Sequence, residues 1–496
     1  MQKRFSVILI MMIMFLTLCF QAGAEDEAFT LAGYDSNTSR DWASNAFFAR
    51  EKEAVGFGFN FRQYSDRAEW KKAVASMQPG SDLPDALFMA DLSGAECIRL
   101  RENGVLIDLK PYLEQYCPNL CGLIGQYPEI LDAITLPDGS IAALPYVNET
   151  PLNCGIWVNR KWLTAVKADM PTDLESLEKV LRLFYNGDPN RNGKQDEIPL
   201  AFLGTFDLKF LAHAWGLVSN DYHIFVDEGG KVQYMPLQPE YREFVSWCRN
   251  MFSEKLLDPS GFTTADTLRT VSDSKAAQLY GMVITTSITN FLPQEWLPDY
   301  ELMMPLSYNG RQVFRDYFGH VRTGTFAVTS ACSDIGKLLS WVDRLYGHDI
   351  AVLASVGLEN IEYTCQGDGR WHLVNINNAN EIQSSRLLTG GSAYPGYSCD
   401  EFQALYYQNT VSEQLEAYRH MNALSIRPFP YYTLTKEQED IISPLQDRLA
   451  RETDMQTARW ISGEDELTDE SYNAFCERLD KMGLKEFLDF WQTIAD

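Results

Sequence analysis

Residues 29–61 read FTLAGYDSNTSRDWASNAFFAREKEAVGFGFNF. Phe29 to Gly33 is a short apolar run that stops at a glycine, the pattern of a buried strand. Trp42 to Lys52 reads as a helix. Val55 to Phe61 alternates in the two-residue period of a strand. The same rhythm continues downstream. Trp70 to Met77 is helical, and Ala86 to Met89, after Pro84, is a short buried strand. Glu96 to Glu102 is a helix ending at Asn103-Gly104, a C-cap signal. Strands alternating with helical segments predict α/β layers with parallel strands. Ile134 to Leu136 and Ile141 to Leu144 flank Asp138-Gly139 and predict a β-hairpin. Tyr241, Phe244, Val245, Cys248, Met251 and Phe252 share one helical face, as do Ile335, Leu338, Leu339, Val342, Leu345 and Tyr346. The stretch from Gly367 to Tyr397 is rich in Asn, Gly and Ser and predicts long loops. From Lys436 onward the pattern is helical again.

The chain has 496 residues, which at about 100–200 residues per domain predicts two to four domains. Hydrophobic residues make up 45% and charged residues 22%, so large cores are available and no disulfide framework is needed. Disordered, collagen-like and small disulfide-scaffold classes are excluded. The net charge of −26 excludes a general attraction for nucleic acid or anionic lipid.

Lys3 and Arg4 precede an apolar run from Phe5 to Phe20, and Ala22-Gly23-Ala24 offers a small-residue cleavage site. Residues 1–24 thus predict a secretory signal peptide. Cys19, after Leu16-Thr17-Leu18, is a second candidate, for lipid attachment; Leu18 is large for the position before such a cysteine. The protein is expected outside the cytoplasm: secreted, periplasmic or on the outer face of the membrane. The other cysteines are scattered without metal-ligand spacing, and Cys248 falls on a core stripe.

The sharpest local signal is Asp188-Pro189-Asn190-Arg191-Asn192-Gly193-Lys194-Gln195-Asp196-Glu197. Oxygen-bearing side chains stand at positions 1, 3, 5 and 9 of an EF-hand-type loop, with glycine at position 6. Lys194, at position 7, would contribute its backbone carbonyl. Position 12 is Pro199, so the usual bidentate Glu is missing and Glu197, at position 10, takes its place. Calcium, a hard cation that takes six to eight oxygens, is the expected ligand and its role structural. An ordinary Asn-Gly turn is the competing reading.

The 11 Trp, 24 Tyr and 27 Phe are a second signal. Flat C–H faces of sugars pack on aromatic rings, and their hydroxyls pair with Asn, Asp, Glu and Arg. Three clusters are suited to this: Tyr34 with Asp35, Arg40 and Trp42; Tyr146 with Asn148, Glu149 and Trp157; and Trp371 with Tyr394 and Tyr397. The first two follow predicted strand ends, which face the ligand crevice in open α/β sheets. Core packing is the competing role for each ring. No His, Ser or Cys constellation of a catalytic site is present, and no carboxylate pair stands out.

Several stretches, in order, carry a resemblance to a family. They are Ala32-Gly33-Tyr34-Asp35, Leu83 to Phe88, Gly104 to Leu109, Leu136 to Ile141 with Ala143 to Tyr146, and Trp157 to Leu163 with Pro171-Thr172. The loop running into Glu197-Ile198-Pro199-Leu200, then Trp460 to Gly463 and Met482 to Leu484, complete the series. The sequence resembles the extracellular solute-binding proteins of carbohydrate-type ABC importers, in the large class that includes the alginate-binding proteins. The resemblance implies a two-lobed periplasmic-binding-protein-like fold, each lobe a mainly parallel sheet flanked by helices. Lobe one would hold 25–145 and 305–350, and lobe two 146–304 and 351–496. It also implies a ligand clamped between the lobes, a membrane permease as partner, a monomer, and calcium ligands at Asp188, Asn190, Asn192, Lys194, Asp196 and Glu197. The expected function is capture and delivery of an oligosaccharide rather than catalysis. A secreted glycosidase or lyase, or a sensor presenting sugar to a membrane receptor, are the alternatives. Uronate-rich ligands would call for local cations, for which Arg40, Lys52, Arg160 and Arg322 are candidates.

Overall fold

The computed structural model describes residues 28–36, 41–148, 153–262, 279–285, 288, 292, 294–316, 321–365, 371–373, 386–387, 393–398 and 411–496. The leader at 1–24 with Cys19, and the site candidates Arg40 and Glu149, lie outside the described residues. Two compact units form. One comprises Met1–Val147, Arg322–Thr364 and Leu373–Tyr397, the other Asn148–Val321, Cys365–His372 and Ser398–Asp496.

The first unit is built on a six-stranded sheet. Its order is Gly396–Ser398, Leu144–Asn148, Val321–Val328, Ala86–Phe88, Ala28–Tyr34, Gly58–Tyr64. Ala28–Tyr34 runs parallel to Gly58–Tyr64 along its whole length, and parallel to Ala86–Phe88. The crossover between the first two strands is the helix Ala46–Val55. Asn45 caps it by accepting the Phe47 N–H, and Gly56 ends it in the left-handed conformation at φ 79°. Position 33 requires glycine, because a Cβ there would stand 1.6 Å from the Phe88 carbonyl oxygen. Trp42, Phe48, Phe61, Phe88 and Trp341 pack ring against ring beside this sheet. The expected helix at 96–102 is Gly94–Glu102. It begins two residues earlier because Ser93 and Glu96 form a reciprocal capping box.

The hairpin expected at 134–144 does not form. Ile134 ends the helix Glu129–Ile134. The Asp138-Gly139 turn is present, with the Leu136 N–H on the Ser140 carbonyl at 2.8 Å. Its second arm bonds elsewhere: the Ile141 carbonyl accepts the Leu109 N–H at 2.8 Å, and the Ile141 N–H donates to Asp108 Oδ1 at 3.0 Å. Turn chemistry was read correctly, but the arm's partner was settled by a segment about 30 residues upstream, a long-range choice that local propensity does not encode.

The second unit has a four-stranded mixed sheet, ordered Tyr300–Leu302, Gly155–Asn159, Tyr280–Thr285, Ile198–Ala201. Tyr280–Thr285 runs antiparallel to Gly155–Asn159 and parallel to Ile198–Ala201. Leu177, Val180, Leu181 and Phe184 of the helix Leu174–Asn186 are buried. So are Tyr241, Phe244, Val245, Cys248 and Met251 of Pro239–Ser253, as the helical spacing requires. Three C-terminal helices, Lys436–Ser462, Asp469–Lys481 and Leu484–Ala495, complete the core with Trp460, Phe475, Phe487 and Trp491.

Two boundaries differ from expectation. Residues 305–321, expected in lobe one, belong to the second unit. Phe314–Arg315 pairs with Ser425–Ile426 there, and the Leu306 N–H bonds His213 Nε2 at 2.9 Å. Residues 351–364 and Leu373–Tyr397, expected in lobe two, belong to the first unit; the helix His348–Ser355 buries Ala351 and Ala354 there. Within 367–397, where loops were expected, Trp371–Leu373 and Gly396 are in strands. None of the eight described cysteines is in a disulfide. Among the described residues no helix is long and apolar enough to cross a membrane.

Candidate functional site

The 188–197 loop joins the helix Leu174–Asn186 to the strand Ile198–Ala201. Three left-handed residues, Asp188 (φ 45°), Arg191 (φ 58°) and Gly193 (φ 72°), fold it on itself. The Asp188 carboxylate accepts the N–H groups of Asn192 at 3.0 Å and Gly193 at 3.2 Å. Asn192 Oδ1 accepts the Lys194 N–H at 2.8 Å, and the Asn192 amide donates to both oxygens of Asp196 at 2.9 and 3.1 Å. Asn190 Nδ2 reaches Asp196 Oδ1 at 3.3 Å. The side chains of positions 1, 3, 5 and 9 therefore bond within the loop, with the amide nitrogens of Asn190 and Asn192 turned to Asp196.

Glu197 completes the set. It is 5% exposed, and both of its carboxylate oxygens are buried without a hydrogen-bond partner. Burial raises its pKa, the backbone N–H groups of Glu197 and Asp196 oppose the rise, and the charges of Asp196 and Asp188 add to it. An isolated buried carboxylate is costly unless it meets a cation or takes a proton. Hard oxygen donors of this kind suit calcium rather than a thiophilic metal. Among the described residues no group of three or more His, Cys, Asp or Glu side chains stands close enough to hold a metal. Asp188, Asp196 and Glu197 are three such side chains, and they are not gathered into a ligating group here.

The three aromatic clusters come out differently. Trp42 is 1% exposed, and its Nε1 donates to Asp35 Oδ2 at 3.0 Å. Asp35, itself buried, takes its backbone hydrogen bond to the Tyr64 carbonyl. This cluster is a packing unit: Asp35 satisfies an indole that would otherwise be orphaned in an aromatic core, and Tyr34 is buried with it. Trp157 also departs from its expected cluster. It is fully buried in the second unit's core, with its ring 6.0 Å from that of Tyr418. Tyr146 instead meets Tyr394, edge to face at 5.4 Å. Tyr146, Asn148 and Tyr397 are half-buried on neighbouring strands of the first unit's sheet, while Tyr394 is wholly covered. Trp371 lies on a short strand, and its side chain is outside what the structure describes.

A group of polar residues that the sequence reading did not select sits inside the second unit. His213 is buried; its Nδ1–H donates to the Phe210 carbonyl at 2.6 Å and its Nε2 accepts from Leu306 N at 2.9 Å. Burial holds its pKa down at about 4. His223 is likewise held at about 4, by burial and then by the charge of Lys209, although its Nε2 lies 3.2 Å from Asp454 Oδ1. Burial tends to raise the Asp454 carboxyl, but His223 and Lys209 overcome this and hold it at about 2. Burial raises Asp207 to about 7, even though it accepts the Leu203 N–H at 2.7 Å. Arg315 reaches Asp221 at 2.6 Å. Asp207, Lys209, His213, Asp221 and His223 come from one stretch of chain, but Arg315 stands 94 positions from Asp221 and Asp454 stands 231 from His223, and no spacing rule could have linked those.

Of the cations named for an anionic ligand, Arg322 is 3.5 Å from Asp91. Arg160 donates to the Pro298 carbonyl at 3.0 Å and lies 3.9 Å from Glu301. Lys52 is exposed on the helix Ala46–Val55.

No family model matches the chain. The fructooligosaccharide ABC transporter substrate-binding protein FusA of Streptococcus pneumoniae is 34% identical over 224 residues, which cover 43% of this chain and 41% of FusA. The chain thus spans about two-fifths of that relative's length in the match. The polygalacturonan/rhamnogalacturonan-binding protein YtcQ of Bacillus subtilis is 20% identical over 86% of this chain and 83% of its own. In three dimensions, FusA in complex with kestose superposes over 95% of this chain and 99% of its own, with a TM-score of 0.67 and 22% identity. An EF-hand mutant of FusA gives the same values. An extracellular solute-binding protein of Bifidobacterium longum subsp. infantis reaches a TM-score of 0.73 at 19% identity, over 96% and 99% of the two chains. The alginate-binding protein AlgQ2, in a structure without calcium ion, reaches 0.64 at 17% identity, over 96% and 99%. The chain has the α/β fold of the two-domain solute-binding proteins, and its relatives by sequence are substrate-binding proteins rather than enzymes.

Proposed function

We propose that this chain is an extracytoplasmic solute-binding protein that captures an oligosaccharide and delivers it to the permease of an ABC importer. The observation that carries the reading is a fold shared with sugar-binding proteins over 95% of the chain, together with the 34% identical stretch shared with FusA. In such a protein the two units are lobes, and a ligand that touches both only when they close shifts the open–closed equilibrium toward closure. On the first unit, Tyr146 and Tyr397 are the half-buried aromatic groups suited to a sugar face. Tyr34, Asp35, Trp42 and Tyr394 are buried in the first unit, and Trp157 in the core of the second. We assign calcium to the 188–197 loop, held by Asp188, Asn190, Asn192, Asp196, Glu197 and the Lys194 carbonyl. The ion supplies the positive charge that the buried Glu197 lacks, and so ties the helix Leu174–Asn186 to the strand Ile198–Ala201. Export directed by residues 1–24 is part of the same reading, with cleavage after Ala24 and lipid attachment at Cys19 as its two alternatives.

The test is a thermal-shift and calorimetric screen of the purified protein against oligosaccharides, with calcium and with a chelator. Saturable binding with the sugar recovered intact supports a transport protein. Shortened sugar would replace the reading with an enzyme. An unchanged melting point under chelation would remove the calcium assignment.

A further inference from the structure

In the first unit, the strand Ala86–Phe88 runs into a stretch of backbone held from several sides. Met89 (φ 50°) and Asp91 (φ 48°) are left-handed without being glycine, a costly conformation that persists only where the surroundings impose it. The Met89 carbonyl accepts the Tyr34 N–H at 3.3 Å, and the Ala90 carbonyl accepts Nε1–H of the buried Trp70 at 2.7 Å. The N–H groups of Ala90 and Leu92 donate to the carbonyls of Thr325 and Gly324, both at 2.9 Å. Lys71 Nζ donates to the Asp91 carbonyl and lies 2.7 Å from Glu96 Oε2.

The outcome is a fixed carboxylate between two arginines. Asp91 Oδ2 accepts from Nε and Nη2 of Arg67, both at 2.8 Å. Oδ1 has a weaker contact, Arg322 Nη2 at 3.5 Å. The Asp91 side chain is 10% exposed, whereas Arg67 is 62% and Arg322 51% exposed. Two guanidinium groups thus share one nearly covered anchor and keep N–H donors toward solvent. Asp66, next to Arg67 in sequence, is engaged elsewhere: it caps the helix Arg67–Ser76 by accepting the Glu69 N–H at 2.8 Å.

Sheet topology brings these residues together. Gly58–Tyr64 and Ala86–Phe88 both run parallel to Ala28–Tyr34, and Arg67 and Asp91 follow their carboxyl ends. Val321–Val328 runs antiparallel to Ala86–Phe88 and so begins at that same end, with Arg322. Ligands of open α/β sheets bind at the carboxyl ends of the strands. The cluster expected there from sequence, around Asp35 and Trp42, is turned into the core. The chemistry of the Asp91 cluster fits a hydroxyl group better than an anion. A hydroxyl both donates and accepts, so one sugar hydroxyl can give its proton to Oδ1 while the oxygen of its neighbour takes an N–H from Arg322 or Arg67. The 3.5 Å contact is longer than a strong charge-assisted bond of about 2.7–2.9 Å, so little is lost in the exchange. A carboxylate or phosphate brings acceptors alone and would stand beside the Asp91 charge.

We propose that Asp91, Arg67 and Arg322 form a subsite on the first unit for a vicinal hydroxyl pair of a saccharide. The inference rests on the transport-protein reading above and names residues that recognise its substrate. The experiment is titration calorimetry of the full chain against neutral oligosaccharides (fructo-, xylo-, manno- and malto-series) and oligogalacturonides. Arg67→Ala and Arg322→Ala should each weaken the neutral sugar that binds by about tenfold, and the lysine variants, which keep the charge without the planar fork, by less. Asp91→Asn, a residue that tolerates the left-handed backbone, should weaken it by about tenfold or more. Arg62→Ala removes an exposed cation of Gly58–Tyr64 that pairs with Asp82 and should leave the affinity unchanged. Among monodeoxy analogues of the bound sugar, one should lose about tenfold on the parent and nothing further on Arg322→Ala. Melting points show which variants are folded. Unchanged affinity in the folded Arg67→Ala and Arg322→Ala variants overturns the subsite, as does an equal loss in Arg62→Ala or additive losses for every analogue. Binding of oligogalacturonides alone, strengthened by Asp91→Asn, overturns the hydroxyl assignment and leaves the transport reading standing. Binding of no sugar by the parent overturns the transport-protein reading, and this inference with it.

Discussion

The two units differ in degree in how they hold their buried polar groups, since burial raises the Asp343 carboxyl in the first unit as well. In the first, charges are paired or capped. Arg344 holds Glu51 through two bonds of 2.9 and 3.1 Å, and Asp343 accepts the N–H groups of Asn119 and Leu120 at the start of the helix Pro118–Gln126. In the second, several groups are buried in a neutral state or against their usual ionisation: His213, His223, Asp207 and, in the loop, Glu197. The first unit's stability should therefore follow its packing, and the second unit's should follow pH and cations.

The sharpest way to break this contrast is Trp42→Ala. It empties the aromatic cluster beside Phe48, Phe61 and Phe88 and leaves Asp35 without its indole donor. The expected cost is about 3–5 kcal/mol, read by denaturant unfolding with hydrogen exchange assigned to each unit. Protection lost equally in both units would mean that the units do not fold as separate entities.

Calcium comes next. At about a hundred times its dissociation constant it should add roughly 2.7 kcal/mol, visible as protection of residues 188–201. Glu197→Gln should raise the melting point without calcium, since a buried charge is removed, and should flatten the response to calcium. A variant that melts lower in chelator and still responds to the ion would show that Glu197 is no ligand.

Acid should act on the second unit first. Both histidines have folded pKa values of about 4, below their usual 6.5, so between these values the unfolded chain binds more protons. Their contribution is complete above about pH 6.5 and is lost as pH falls toward 4. Asp454, held at about 2, adds a loss only below its ordinary 3.8. Asp207, raised to about 7, works the other way: its share is complete below 3.8 and is lost as pH rises through 7. Moving from pH 7 to pH 5 should cost the second unit about 2 kcal/mol, and Asp207→Asn should remove the alkaline part of the profile. Equal acid sensitivity of both units would erase the contrast.

The smallest expected effect is Ser93→Ala. Loss of the capping box should cost about 1 kcal/mol in the first unit, with no change in its pH profile.

Much of this was readable before folding where the signal was local. The helix at 241–252 and the strand at 29–33 announce themselves through periodicity, because each element has to bury one face. The loop at 188–197 was readable because its oxygens come from consecutive residues; the orphaned state of Glu197 was not, since it depends on what covers the loop. Turn residues at Asp138-Gly139 were right and the hairpin wrong, because the turn is set by two residues and the arms by distant partners. Trp42 and Trp157 looked like sugar platforms from their neighbours in sequence and are core rings. Exposure is a property of the packed chain, and an indole has the same sequence signature on either side of a surface.

By itself, then, the amino-acid sequence determined the acidic character, which follows from composition, and the α/β alternation and the oxygen-rich loop, which follow from residue spacing over short stretches of chain. Tertiary structure alone decided which aromatics remain near the surface. It also decided that 305–321 belongs with the second unit, and that Asp91, beyond one strand end, meets Arg67 and Arg322 from two others. Those outcomes depend on which distant segments share a core. Contacts between residues more than a hundred positions apart carry no period in the sequence and appear only once the chain has closed on itself.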